Sequence, residues 1–296
     1  MASGSRIEDI DFNTIQDKAQ SLLGTGAGTR GYGQTVLSSD VFEGNTITKA
    51  QWDALRYDII NIRFHQDGVL PAIIALGERA VISYGASAPN TNYDTLLEIG
   101  IANRFRIAGS QSVINSAASR TYTTPWSTSL TATLTCTFST ADQARYFFNS
   151  GGKVRFTSTL SGGSSTAQIN AWVNLLASVG TQSFGADTGI VNYYNLTNSF
   201  QIYYQSSLSS PYSANNYRLE ACTNVSNNSS GTATQLFLRV TLSDSYVDPG
   251  APAPGDLVNG TLTIAASELK ASGLLQPSGT FAITSPSYSL SVISGS

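Results

Sequence analysis

With 296 residues, 41% of them apolar, the chain can fill one large or two medium cores, yet charged residues are only 12% and the net charge is −3. Phosphate recognition needs clustered Lys and Arg, so this balance argues against a nucleic-acid partner. No apolar run reaches the roughly eighteen residues of a membrane-spanning helix, so no membrane partner is expected. Ser, Thr, Asn and Gly replace the missing charge, which suits particle surfaces and β-sandwiches better than cytosolic metabolic enzymes. The opening MASGSRIEDIDF has neither the basic nor the apolar region of a secretory signal, so residence in a cytosol is expected unless the protein leaves inside an assembly.

In chain order, Phe12, Ile15, Ala19 and Leu22 share one helical face, with Gly24 as a stop. A glycine-rich loop, Gly24 to Gln34, follows. The next helix is the best marked. Thr48 and Gln51 form a capping box, Ile47 and Trp52 a hydrophobic staple, and Trp52, Leu55, Ile59 and Ile62 an apolar stripe ending near His65 to Gly68. A third helix is predicted over about Tyr93 to Asn103. Three short helices with long links make a thin core that gains stability by docking.

Beyond Phe105 the pattern changes to a period of two. Leu130 to Phe138 alternates apolar residues with threonine. Thr140 and Gln143 cap a short helix that Gly151-Gly152 ends, and Val154 to Leu160 is the return strand. This strand–helix–strand unit reads as the nucleus of a β-rich domain. Ser165, with Gln168 three residues on, opens a helix bearing Ile169, Trp172, Val173 and Leu176. Val191 to Tyr194, Phe200 to Gln205, Tyr217 to Thr223, Gln235 to Ser243, Leu257 to Ala265 and Gly279 to Val292 read as strands, with a turn at Asp248-Pro249-Gly250 before the run APAPG. The expected fold is α+β: a helical docking module over residues 1–105, then a mainly antiparallel, jelly-roll-like β-sandwich with two short helices over residues 106–296.

Candidate chemistry is sparse. Gly26 to Gly31 fits G-x-G-x-x-G, but no strand precedes it and the next helix starts far downstream, so the loop is read as partner-moulded rather than nucleotide-binding. Gly26, Gly28, Arg30, Tyr32 and Trp52 are the candidate assembly interface. The single histidine, His65, ends a helix and has no nucleophile motif beside it. Cys136 and Cys222 read as small buried hydrophobes, with a disulfide open only if their strands face one another. The carboxylates are scattered. Asp244 and Asp248 flank a turn and could bind Ca²⁺ weakly, but the EF-hand spacing is absent. No metal and no cofactor are expected. Tyr193, Tyr194, Tyr203, Tyr204 and Tyr212 are the candidate receptor or partner surface, since tyrosines stack on sugar rings and favour interfaces, although alternate residues also fill a sandwich. The sequons at Asn195, Asn224, Asn227, Asn228 and Asn259 are expected by chance in so Asn- and Thr-rich a chain.

Four stretches carry a resemblance: LGTGAGTRGYGQ (Leu23–Gln34), NTITKAQWDALRYDI (Asn45–Ile59), ADQARYFFNSGGKVRF (Ala141–Phe156) and SPYSANNYRLEA (Ser210–Ala221). Together they resemble virion structural proteins of tailed phages, notably contractile-tailed phages of cyanobacteria and other aquatic bacteria. The resemblance implies a non-enzymatic part of the tail, baseplate, neck or an attached fibre. Its partners would be other virion proteins, with homo-oligomers set by particle symmetry. A capsid decoration protein, or a fibre module binding a host surface glycan, is the alternative.

Overall fold

The structure, a computed structural model, describes residues 8–73, 75, 92–247 and 257–295. The turn expected at Asp248-Pro249-Gly250 and the APAPG run lie outside them. Two compact units are present. The first takes in the chain up to Val113, together with Arg145–Gly152 and Lys270–Thr284, and the second takes in Ile114–Ala144, Lys153–Leu269 and the residues from Ser285 on. The boundary expected at residue 105 therefore falls at Val113, and the helical unit recruits two later segments. The stretch expected as the nucleus of the β domain is divided: its helix starts in one unit and its Arg145–Gly152 half is counted with the other.

The first unit is built on α1 (Asp9–Leu23), α2 (Lys49–Asp67) and α3 (Tyr93–Ala102). The capping box of α2 is present as expected, with Thr48 accepting from the Gln51 backbone and Gly68 ending the helix in the left-handed conformation. Aromatic side chains join the three helices. Phe12 meets Trp52 edge-on at 4.9 Å, and Trp52 meets Tyr93 at 5.7 Å. Gly100 lets α3 approach closely, since a Cβ there would stand 3.0 Å from Ile62 and 3.1 Å from Leu22.

The second unit is a sandwich of two antiparallel sheets. Its strands are β1 (Ser112–Tyr122), β2 (Ser129–Thr137), β3 (Lys153–Ser161), β4 (Thr181–Phe184), β5 (Gln201–Ser207), β6 (Asn216–Thr223), β7 (Gln235–Ser243), β8 (Thr261–Ala271), β9 (Ser287–Leu290) and β10 (Ser294–Gly295). One sheet runs β1-β8-β3-β4. The other runs β10-β2-β7-β6-β5, with β9 and β10 sharing the free edge of β2. Helices α4 (Ala141–Asn149) and α5 (Ala167–Val179) lie in the connections on either side of β3. The inner faces interdigitate: Ser158 of β3 hydrogen-bonds Tyr217 of β6 at 3.1 Å, and Phe184 of β4 packs on Tyr203 of β5 at 4.9 Å.

Several local expectations shift. The N-cap of α5 is Thr166 rather than Ser165, which frees the Gln168 side chain for Asp244. Val191 to Tyr194 is not a strand; Tyr193–Asn195 is one turn of 3₁₀ helix. β8 starts later than expected, and of Gly279 to Val292 only Ser287–Leu290 forms a strand. Because Trp52 is buried between Phe12 and Tyr93, Trp52→Ala is expected to cost about 3–5 kcal/mol in urea unfolding followed by far-UV dichroism.

Candidate functional site

The most distinctive local geometry in the first unit is the turn after α1. A carbonyl in an irregular, partly buried turn needs a donor from elsewhere. Four such carbonyls find theirs on α4. Arg145 Nη2 donates to Gly26 O at 2.8 Å, and the two N–H groups of Asn149 Nδ2 are shared among the carbonyls of Gly28, Arg30 and Gly31 at 3.2, 3.0 and 3.1 Å. The turn folds back on its own helix as well, with the N–H groups of Gly31 and Tyr32 donating to Ser21 O and Leu22 O. Gly31 and Gly33 have positive φ, and a Cβ on Gly31 would stand 2.4 Å from the Gly26 nitrogen. A phosphate cradle presents its N–H groups to a ligand; this turn directs its carbonyls onto protein donors and precedes no helix before Lys49. The expected partner-moulded loop is thus already held by its own chain.

Tyr32 and Trp52, placed in the assembly interface by sequence, are core residues at 1% and 8% exposure. The Tyr32 hydroxyl donates to Arg104 O at 2.7 Å and accepts from Gln66 Nε2, which also donates to Gly100 O. Gly26 and Gly28 are held by Arg145 and Asn149. Of the five, Arg30 alone is exposed.

His65 lies in the same core. Its Nε2–H donates to Ser150 O at 2.9 Å, and its ring stacks on Phe281 at 4.3 Å. Nδ1 is buried without a partner among the described residues. Burial pulls its pKa down to about 4, although the Ser150 bond works the other way. The imidazole is therefore neutral and sealed from any substrate.

Among the described residues, two clefts on this unit bear on the residues named above. One, of about 280 Å³, lies between α1, the glycine turn and the end of α3; Asp17, Lys18, Ser21, Leu22, Thr29, Arg30, Ile101 and Arg104 line it. Lys18 is occupied by Asp94 and Glu98 of α3, and Arg104 reaches Thr29 Oγ1 at 3.3 Å. The other, of about 430 Å³, lies at the start of α1 and is lined by Glu8, Asp9, Glu43 to Ile47 and Trp52.

In the β unit the tyrosine cluster turns inward. Tyr193 and Tyr194 are buried at 1% and 7% exposure, and the Tyr193 hydroxyl donates to Ala233 O at 3.2 Å. Tyr203 packs on Phe184 with its hydroxyl buried, and Tyr204 contacts Tyr217. Tyr212, half-buried, meets Tyr246 edge-on at 4.8 Å. Of the five, Tyr193 and Tyr194 are buried and Tyr203, Tyr204 and Tyr212 are half-buried, so none is a fully open stacking platform. The buried carboxylates are structural in geometry. Asp58 takes two N–H bonds and one hydroxyl bond from Leu37 and Ser38, and burial pushes its pKa up. Glu268 accepts from Asn115, Ser285 and Tyr288, and Glu220 pairs with Arg239 and Arg218. Asp244, considered for calcium, accepts from Gln168 and Asn215, while Asp248 lies outside the described residues. No cluster of three metal-ligating side chains exists among the described residues. Cys136 and Cys222 are both buried and free. Their strands flank β7, two spacings of about 4.8 Å apart, beyond disulfide reach.

Comparison with protein-family models, curated proteins and solved structures finds no match.

Two expectations follow from this geometry. Asn149→Ala is expected to destabilise the protein by about 2–4 kcal/mol, by leaving three carbonyls short of a donor, and Asn149→Asp by more, because an acceptor then faces them; chemical denaturation measures both. For His65, the unfolded chain binds a proton below about pH 6.5 that the folded state refuses until about pH 4. Stability therefore falls with acidification, by about 1–2 kcal/mol between pH 6.5 and 5. Urea unfolding across that range checks it, and His65→Phe is expected to flatten the slope.

Proposed function

We propose that this chain is a non-enzymatic structural component of a tailed-phage virion, belonging to the tail, baseplate, neck or an attached fibre. The observation that carries this reading is that two of the stretches bearing the resemblance to virion proteins bond to each other. Arg145 and Asn149 of ARYFFNSGG hold the carbonyls of GTGAGTRG. The residues that make the sequence recognisable thus have an architectural task, as expected of a part whose function is its shape. The buried, neutral His65 and the saturated carboxylates are consistent with that role.

A glycan-binding fibre module has narrower support, because Tyr193 and Tyr194 are buried and leave only the half-buried Tyr203, Tyr204 and Tyr212. Placement on the capsid is the neighbouring reading and differs only in address.

The test is made on particles purified through a density gradient. Quantitative mass spectrometry is expected to find the protein at a fixed copy number per particle, and an antibody against it to label the tail end in electron micrographs. Its absence from intact particles would overturn the virion reading, and label on the icosahedral shell would move it to the capsid.

A further inference from the structure

We propose that the cleft holding Arg30 and Arg104 receives the acidic start of α1, with Phe42 and Glu43, from a second copy of this chain. The inference starts from how charge is distributed along α1. At its C-terminal end the cleft presents two guanidinium groups. Arg30 is exposed and makes no ion pair among the described residues. Arg104 is half-buried and fixed by Thr29. The charge of Lys18 is offset by Asp94 and Glu98, which leaves Asp17 as the one acid opposing the two arginines in the lining. Ile101, half-buried, supplies an apolar patch beside the buried Leu22.

At the other end of α1 the signs reverse. Glu8, Asp9 and Glu43 line the second cleft, and Asp9 and Glu43 have no cationic partner among the described residues. Two apolar side chains stand beside them in solvent, Ile10 at 67% and Phe42 at 80% exposure. Asn13 fixes them there: its side-chain amide donates to Val41 O at 2.9 Å and accepts from Val41 N at 2.8 Å, holding Phe42 beside the first turns of α1. An acidic rim with a projecting phenyl ring complements a cationic cleft that has Ile101 in its lining.

A single copy cannot join its own two ends. Asp9 and Leu22 are 13 residues apart on one helix, about 20 Å at 1.5 Å per residue. The two surfaces differ, so each contact pairs unlike patches: copies exchange it reciprocally about a two-fold axis or continue it into a ring or stack. Exposed ion pairs are individually weak and screened by salt, so a single contact is weak and salt-sensitive. Repetition along an assembly makes it effective. The proposal does not depend on the virion reading, because it is tested on the isolated protein.

The test is sedimentation velocity on the full chain. At about 50 mM salt the wild type is expected to sediment faster as concentration rises, and near 1 M salt to revert to monomer. One variant, R30E with R104E, makes both ends acidic. Another, D9K with E43K, makes both ends basic. Each alone is expected to stay monomeric at low salt. An equimolar mixture is expected to associate again, because the ends are then complementary between variants. Melting temperatures verify folding, and R30E paired with E43K serves if Arg104 proves necessary for stability. A wild type that remains monomeric at low salt and high concentration overturns the proposal. So do variants that associate as the wild type does, or a mixture that does not recover.

Discussion

Buried backbone outside helices and sheets must still find hydrogen-bond partners, and this requirement organises the first unit. Asn149 meets it for three carbonyls of the glycine turn. The same device recurs in other irregular stretches. Gln34 pairs with both peptide groups of Ala282, Asn61 with the carbonyl and N–H of Gln276, and Asn13 with Val41. In the β unit Asn228 spans Tyr193 O and Ala233 N, and Asn215 accepts from Ser245 and Tyr246. A primary amide carries a donor and an acceptor side by side, as a strand neighbour does, and brings no charge to desolvate. The low charge and high Asn content of the chain are the compositional trace of this device.

That device also explains what could be read in advance and what could not. Local signals were legible. Thr48, Gln51 and Gly68 mark the ends of α2, and the alternation over Gln235 to Ser243 matches β7 in full. These features are set by neighbours within a few residues. β1 was missed because its run SVINSAASRTY lies at a sheet edge and shows little alternation in burial. β4 was too short to announce itself.

The interface residues failed for a different reason. Tyr32 and Trp52 are large, and Gly26 and Gly28 sit in a loop, which reads as an outward surface when only adjacent positions are visible. Their partners lie far off in the chain: Asn149 is 118 residues from Gly31, and Arg104 is 72 from Tyr32. Asn149 itself looked like an ordinary helix end. Nothing in its local sequence signals three bonds to a distant turn. The tyrosines after Val191 have the composition of a binding surface and the alternation of a sandwich interior, and only burial separates the two.

The first unit is discontinuous, and this bears on the order in which a growing chain can acquire structure. A chain emerged as far as Val113 holds α1, α2 and α3, but it lacks the donors of Arg145 and Asn149, the Ser150 carbonyl for His65, and the Phe281 ring. Those groups arrive only after the segments through Gly152 and then through Thr284 have been made. The portion translated first is therefore completed nearly last, after most of the sandwich strands exist. Translation itself thus acts as a timer: the glycine turn is not clasped before the segment through Gly152 has left the ribosome, nor the core around His65 closed before the segment through Thr284 has.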